Sequence, residues 1–98
     1  MLVRIVKMTF LNENIASFEQ IFEQHKHRIR SSEGCSHLSL YQDKAAPATF
    51  FTYSHWEDGE ALENYRNSDF FKKVWGETKA LFADRPEAWS LQQITTLN

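Results

Sequence analysis

Apolar positions alternate through residues 2–10, recur every three or four residues from Ile15 to Ile29, and alternate again from Ser36 to Trp56. Leu2 to Phe10 therefore reads as a strand. Val3 and Ile5 lie on one face, Leu2, Val6, Met8 and Phe10 on the other. Both faces are partly apolar, which predicts a central strand covered on both sides. Asn12 or Asn14 is the expected cap of a first helix with the stripe Ile15, Phe18, Phe22, His25, Ile29. Ser32-Glu-Gly34 ends it, since glycine suits the left-handed C-cap. Ser36 to Gln42 is a second strand, and Asp43-Lys-Ala-Ala-Pro47 connects it to a third, Thr49 to Trp56. In that third strand Phe51, Tyr53 and His55 alternate against Thr52, Ser54 and Trp56. Asp58 is positioned to cap a helical region ending at Phe82. Its inner positions are Leu62, Tyr65, Phe71, Val74, Trp75, Thr78, Leu81 and Phe82, with a break expected near Asn67-Ser68. Ala83-Asp-Arg-Pro86 stops it, and Trp89 to Ile94 is the last strand.

The order β-α-β-β-α-β predicts an α+β, ferredoxin-like fold, an antiparallel sheet with its helices on one face. The other face would carry several of Val3, Ile5, Leu38, Leu40, Phe50, Trp56 and Trp89. An apolar patch of that size calls for a cover. A second copy about a two-fold axis is the simplest one, so a homodimer is expected. The aromatic third strand feeds a helix with Tyr65 and Trp75 on its inner face. The crevice between sheet and helix is the expected ligand site.

Composition narrows this. Ninety-eight residues make one domain, residues 1–98, yet they include eight Phe, three Trp and three Tyr. So many aromatics build either a dense small core or a flat ligand pocket. A net charge of −2 argues against nucleic acid as a partner. The basic run His25-Lys-His-Arg28, with Arg30, falls at the end of the first helix, where cations suit the macrodipole. Cys35 is the single cysteine, so no intrachain disulfide is possible; this suits a reducing cytoplasm, the expected location. Met1-Leu-Val-Arg-Ile-Val shows no signal-peptide pattern, and no stretch approaches the roughly 20 apolar residues of a membrane span. No metal site is expected, because His25 and His27, two apart on a helix, point apart. Three glycines form no phosphate loop.

Four segments together carry a family resemblance. They are the Arg4-Ile-Val-Lys-Met strand, Glu33-Gly34-Cys35, Phe51-Thr-Tyr-Ser-His-Trp56-Glu, and Tyr65-Arg-Asn-Ser-Asp-Phe-Phe71. Over roughly residues 2 to 94 the chain resembles the antibiotic biosynthesis monooxygenase domain, whose members form dimeric α+β barrels. The family includes cofactor-independent oxygenases of aromatic polyketides, haem-degrading and quinol-linked oxygenases, and an isomerase of a signalling sugar phosphate. The haem branch uses an Asn, a Trp and an iron-ligating His. The matching positions here are Val6, Tyr65 and Trp75, and indole nitrogen is a donor only. The resemblance therefore favours the branch without cofactors. There the deprotonated aromatic substrate itself passes an electron to dioxygen. The family places polar groups near the pocket at positions resembling Tyr65 and Trp56.

The resulting expectation is a monooxygenase without metal, flavin or other cofactor, acting on a small phenolic or quinol-type aromatic. His25 and Tyr65 are the catalytic candidates, as base and donor. Tyr53, His55, Trp75 and Phe22 are the substrate-binding candidates. Each has a packing alternative: His25 as a core-stripe residue bonding a neighbour, Tyr65 and Trp75 as core aromatics, His55 as a strand-end rim residue. His37 shares that rim reading, and Cys35 is expected to be buried and inert. The alternative function is a non-catalytic or isomerase-like small-ligand domain that keeps the fold and the dimer; a purely structural dimer is a third.

Overall fold

The computed structural model describes residues 1–98. It contains β1 (Leu2–Thr9), α1 (Ile15–Arg30), β2 (Cys35–Gln42), β3 (Thr49–Trp56), α2 (Gly59–Arg66), α3 (Asp69–Lys79) and β4 (Glu87–Gln92). The sheet order is β2-β3-β1-β4, and each neighbouring pair is antiparallel. This is the ferredoxin-like α+β fold that the element order implied.

The helices cover one face. Met8 and Phe50 lie opposite each other on β1 and β3 and form a core with Phe10 and with Phe18 of α1. At the other end Cys35, Trp56 and Leu62 make a second core, with Leu2 and Tyr65 against it. Strand parity then assigns the rest. Leu2, Arg4, Val6 and Met8 share the helix side with Phe50, Thr52, Ser54 and Trp56, while Val3, Ile5, Phe51, Tyr53 and His55 look away.

The bare face consequently differs from the expected set. Val3, Ile5 and Trp89 lie on it, joined by Tyr53, His55 and Leu91. Leu38, Leu40, Phe50 and Trp56 lie on the helix side instead. The cause is register: Leu40 pairs with Thr52 and Phe50 with Met8, both helix-side residues. A shift between Cys35 and His37 inserts Ser36, so that Cys35 joins Trp56 in the core while His37 turns outward beside His55.

Local chemistry sets the ends. Asp58 accepts from the Ala61 amide at 2.8 Å and opens α2; Ser68 accepts from the Phe71 amide at 3.1 Å and opens α3. Asn14 does not cap α1. Its Nδ2 donates to the Leu81 carbonyl at 3.3 Å, while residues 12–14 form a 3₁₀ turn that leads into the helix. Gly34 has φ +83°, and a Cβ there would meet the Ala61 side chain at 2.5 Å, so only glycine fits. β4 runs Glu87–Gln92 rather than Trp89–Ile94, because its partner β1 begins at Leu2, opposite Gln92.

Candidate functional site

Between the inner sheet face and the helices lies a cavity of about 410 Å³. Val6, Met8 and Thr52 form part of its floor; Phe22 of α1, Tyr65 of α2 and Trp75 of α3 form part of its walls. Three of the sequence candidates thus meet in one space. The space stays open although Phe18, Phe22 and Trp75 all reach it. Its helix wall is a continuous aromatic run. Tyr65 lies 5.0 Å from Trp56 and 5.1 Å from Phe71, and Phe71 stacks on Trp75 at 5.9 Å and 11°. Such contacts hold the rings at fixed angles. The wall is thus a preformed, flat-sided surface.

Ser68 makes this wall possible. Its hydroxyl donates to the Tyr65 carbonyl at 2.6 Å and also accepts from the Phe71 amide. The break between α2 and α3 therefore turns at one residue and sets Tyr65 edge-on to Phe71. Burial raises the Tyr65 phenol well above the ordinary tyrosine range. It stays protonated near neutral pH, a hydrogen-bond donor rather than a base. Trp56 is fully buried and its indole N–H is taken by Ser54 Oγ at 3.0 Å. Of the two groups that the resemblance brought to the pocket, Tyr65 is free to serve a ligand and Trp56 is a core post.

The other candidates lie elsewhere. His25 is at the α1–α3 contact, its Nε2 3.7 Å from Glu77 Oε2 and its ring edge-on to Phe70 at 5.6 Å. It does not line the cavity. Tyr53 and His55 are on the outer face, bonded to each other at 2.8 Å, with the His37 ring 4.9 Å from that of His55. The sheet separates them from Tyr65 and Trp75. Cys35 is buried and its thiol is pushed up by that burial, which makes it a poor nucleophile.

Two residues escaped the sequence reading. Arg4 and Arg66 are the only charged side chains lining the cavity. Arg4 donates from Nη1 to Ser90 Oγ at 2.9 Å, and its guanidinium is pushed below its ordinary value by burial, then by Arg66, against an opposing pull from Glu63. Arg66 pairs with Glu63 at 3.3 Å on the rim, where both are substantially exposed. The signal for Arg4 was present: it breaks the apolar parity of Leu2, Val6, Met8 and Phe10.

The lining offers no imidazole and no carboxylate, so it does not fit the histidine-ligated haem of the haem-degrading branch. No three His, Cys, Asp or Glu side chains converge anywhere in the chain to hold a metal ion. No helix is long and apolar enough to cross a membrane.

Fold and cleft together define a class: a single ferredoxin-like α+β unit with a ligand-sized aromatic cavity between sheet and helices. The chain belongs to the antibiotic biosynthesis monooxygenase family, whose model matches residues 1–75. Solved structures agree in fold. A crystal structure of an antibiotic biosynthesis monooxygenase is 18% identical, with 97% of this chain and 100% of that one covered and a TM-score of 0.90. A conserved protein of Methanosarcina mazei Go1 is 20% identical, covering 95% and 93%, at 0.88. A Pseudomonas aeruginosa protein is 22% identical, covering 96% and 94%, at 0.84. No curated protein matches the chain by sequence.

Proposed function

We propose that this chain is a cofactor-independent monooxygenase that oxidises a small phenolic or quinol-type aromatic in the cleft. The observation that carries the reading is the aromatic wall with the protonated Tyr65 phenol set into it. Trp75 and Phe22 hold the flat ring. Tyr65 donates to the substrate oxygen and favours its anion as the proton leaves toward solvent at the mouth. The anion transfers one electron to dioxygen, and the radical pair combines into a ring hydroperoxide. Loss of water from it leaves a quinone. One phenol and one dioxygen become one quinone and one water, so no external reductant is required.

The working unit is a homodimer, with the outer sheet faces of two copies packed together. Trp89, Leu91 and Tyr41 are 42%, 45% and 55% exposed, which favours a cover over that face. The lone cysteine suits a cytoplasmic setting. Sedimentation at micromolar concentration should give the dimer mass, and a stable monomer would remove the barrel.

The function is tested with 1-naphthol in an oxygen electrode. The protein should raise oxygen uptake above the protein-free rate, at one dioxygen per quinone formed, and Trp75→Ala should lose most of that rate. Saturable binding with no oxygen uptake would instead favour the non-catalytic or isomerase-like reading.

A further inference from the structure

We infer that the cleft takes its aromatic ligand as a carboxylate, with the acid group held by Arg4 and Arg66 and the ring against Phe22 and Trp75. The inference rests on the cleft being the ligand site and adds the charge of what enters it. Strand β1 places Arg4 on the helix side, in a cross-sheet row with Ser54 of β3 and Ser90 of β4. That row is a polar band at one end of a floor whose other members include Val6, Met8 and Thr52. A half-buried guanidinium is costly to desolvate unless an anion or acceptors meet it. Ser90 takes one of the five N–H donors. The only other charge on the lining is also positive, and no Asp or Glu shares the cavity with the pair. The nearby acid, Glu63, belongs to an exposed rim pair with Arg66, a weak contact that a ligand can replace. Burial and Arg66 both work against the Arg4 charge, with Glu63 alone pulling the other way, and an entering anion adds compensating charge beside it. A carboxylate matches the planar fork with two parallel hydrogen bonds, and it is already ionised at neutral pH, whereas a phenol is not. The donor Tyr65, on the same lining, is then left for the ring's own oxygen.

The test uses two probes that share one ring system, 2-naphthoate and the uncharged naphthalene-2-carboxamide. Titration is followed by NMR at the Trp75 indole N–H and the Arg4 Nε–H, with calorimetry for affinity. Naphthoate should bind at least about tenfold more tightly than the amide, the scale of one charge-assisted hydrogen bond. Arg4→Gln should abolish that preference by weakening naphthoate far more than the amide, whereas Arg4→Lys should keep part of it. Arg66→Gln, a half-exposed rim change that spares the fold, should reduce the preference several-fold, and so decides the matter even where Arg4→Gln does not fold. Equal binding of the two probes, or a preference that survives both glutamine variants, would overturn the inference while leaving the cleft as the ligand site. Failure of both probes to shift Trp75 would remove the cleft reading itself.

Discussion

The two faces of the sheet use the same kinds of side chain to opposite ends. On β3, Trp56 and Tyr53 are three residues apart, both aromatic and both hydrogen-bonded within the strand. Trp56 is sealed under α2, with its N–H consumed by Ser54. Tyr53 stands on the uncovered side between His37 and His55, its hydroxyl shared with an imidazole. Aromatic content alone therefore says little about a site. What matters is whether the ring is left with an unmet partner in a space that a ligand can enter. On the inner face that holds for Tyr65, beside an Arg4 guanidinium of which only one donor is bonded to Ser90, and on the outer face for the surface as a whole.

The sharpest way to break this comparison is to truncate both aromatics. Trp56→Ala should cost about 3–5 kcal/mol in urea unfolding, the usual price of emptying a core indole site. Tyr53→Ala should cost less than half of that at the same protein concentration. Equal losses would mean that the outer face is as tightly covered as the inner.

A smaller effect separates the faces by pH. His55 is shifted below the ordinary histidine value of 6.5, first by desolvation and then by His37. A depressed folded-state value means that the unfolded chain binds the proton more readily. The contribution is thus fully present above pH 6.5 and is lost as pH falls below it. The melting temperature should drop modestly between pH 7.5 and 5.5, and His55→Gln should flatten that drop. The inner face, whose lining holds no histidine, should contribute nothing to it. An unchanged profile in the variant would assign the drop to other groups.

The smallest effect expected is at His25. His25→Ala should lower stability by about 1 kcal/mol through the lost Phe70 and Glu77 contacts and leave 2-naphthoate affinity within about twofold. A tenfold or greater loss of turnover in a folded variant would restore His25 as the base.

Much of the fold was legible before any coordinates. Asp58 and Ser68 announced helix starts because their side-chain oxygens satisfy amides that nothing else reaches. Gly34 marked the turn that follows α1, but not the cap itself: the helix ends at Arg30 with Ser31 as its C-cap, and the left-handed glycine sits three residues later, where it passes close to Ala61. Asn14 misled, since an asparagine near a helix start is equally able to bond a distant carbonyl, here that of Leu81. The site was legible only in halves. Helical spacing put Phe22, Tyr65 and Trp75 on inner stripes, but a stripe spans too wide an angle to say which of its members reach a cavity. His25 shares the α1 stripe with Phe22 and ends up against α3. Tyr53 and His55 precede Tyr65 closely in sequence, yet strand parity sends them through to the far side. Once β1, β2 and β3 are in register, those assignments follow without freedom.

The Ser68 hydroxyl carries a consequence for anyone wishing to remodel this protein. One oxygen both closes α2 at Tyr65 and starts α3 at Phe71. The phenol and the indole of the cleft are therefore not separate parts on separate mounts; they hang from a single pivot. Widening the cleft for a bulkier guest by trimming Trp75 leaves that pivot alone. Any change that swings the Ser68 rotamer retunes the donor and the ring platform together, as turning one peg would detune two strings.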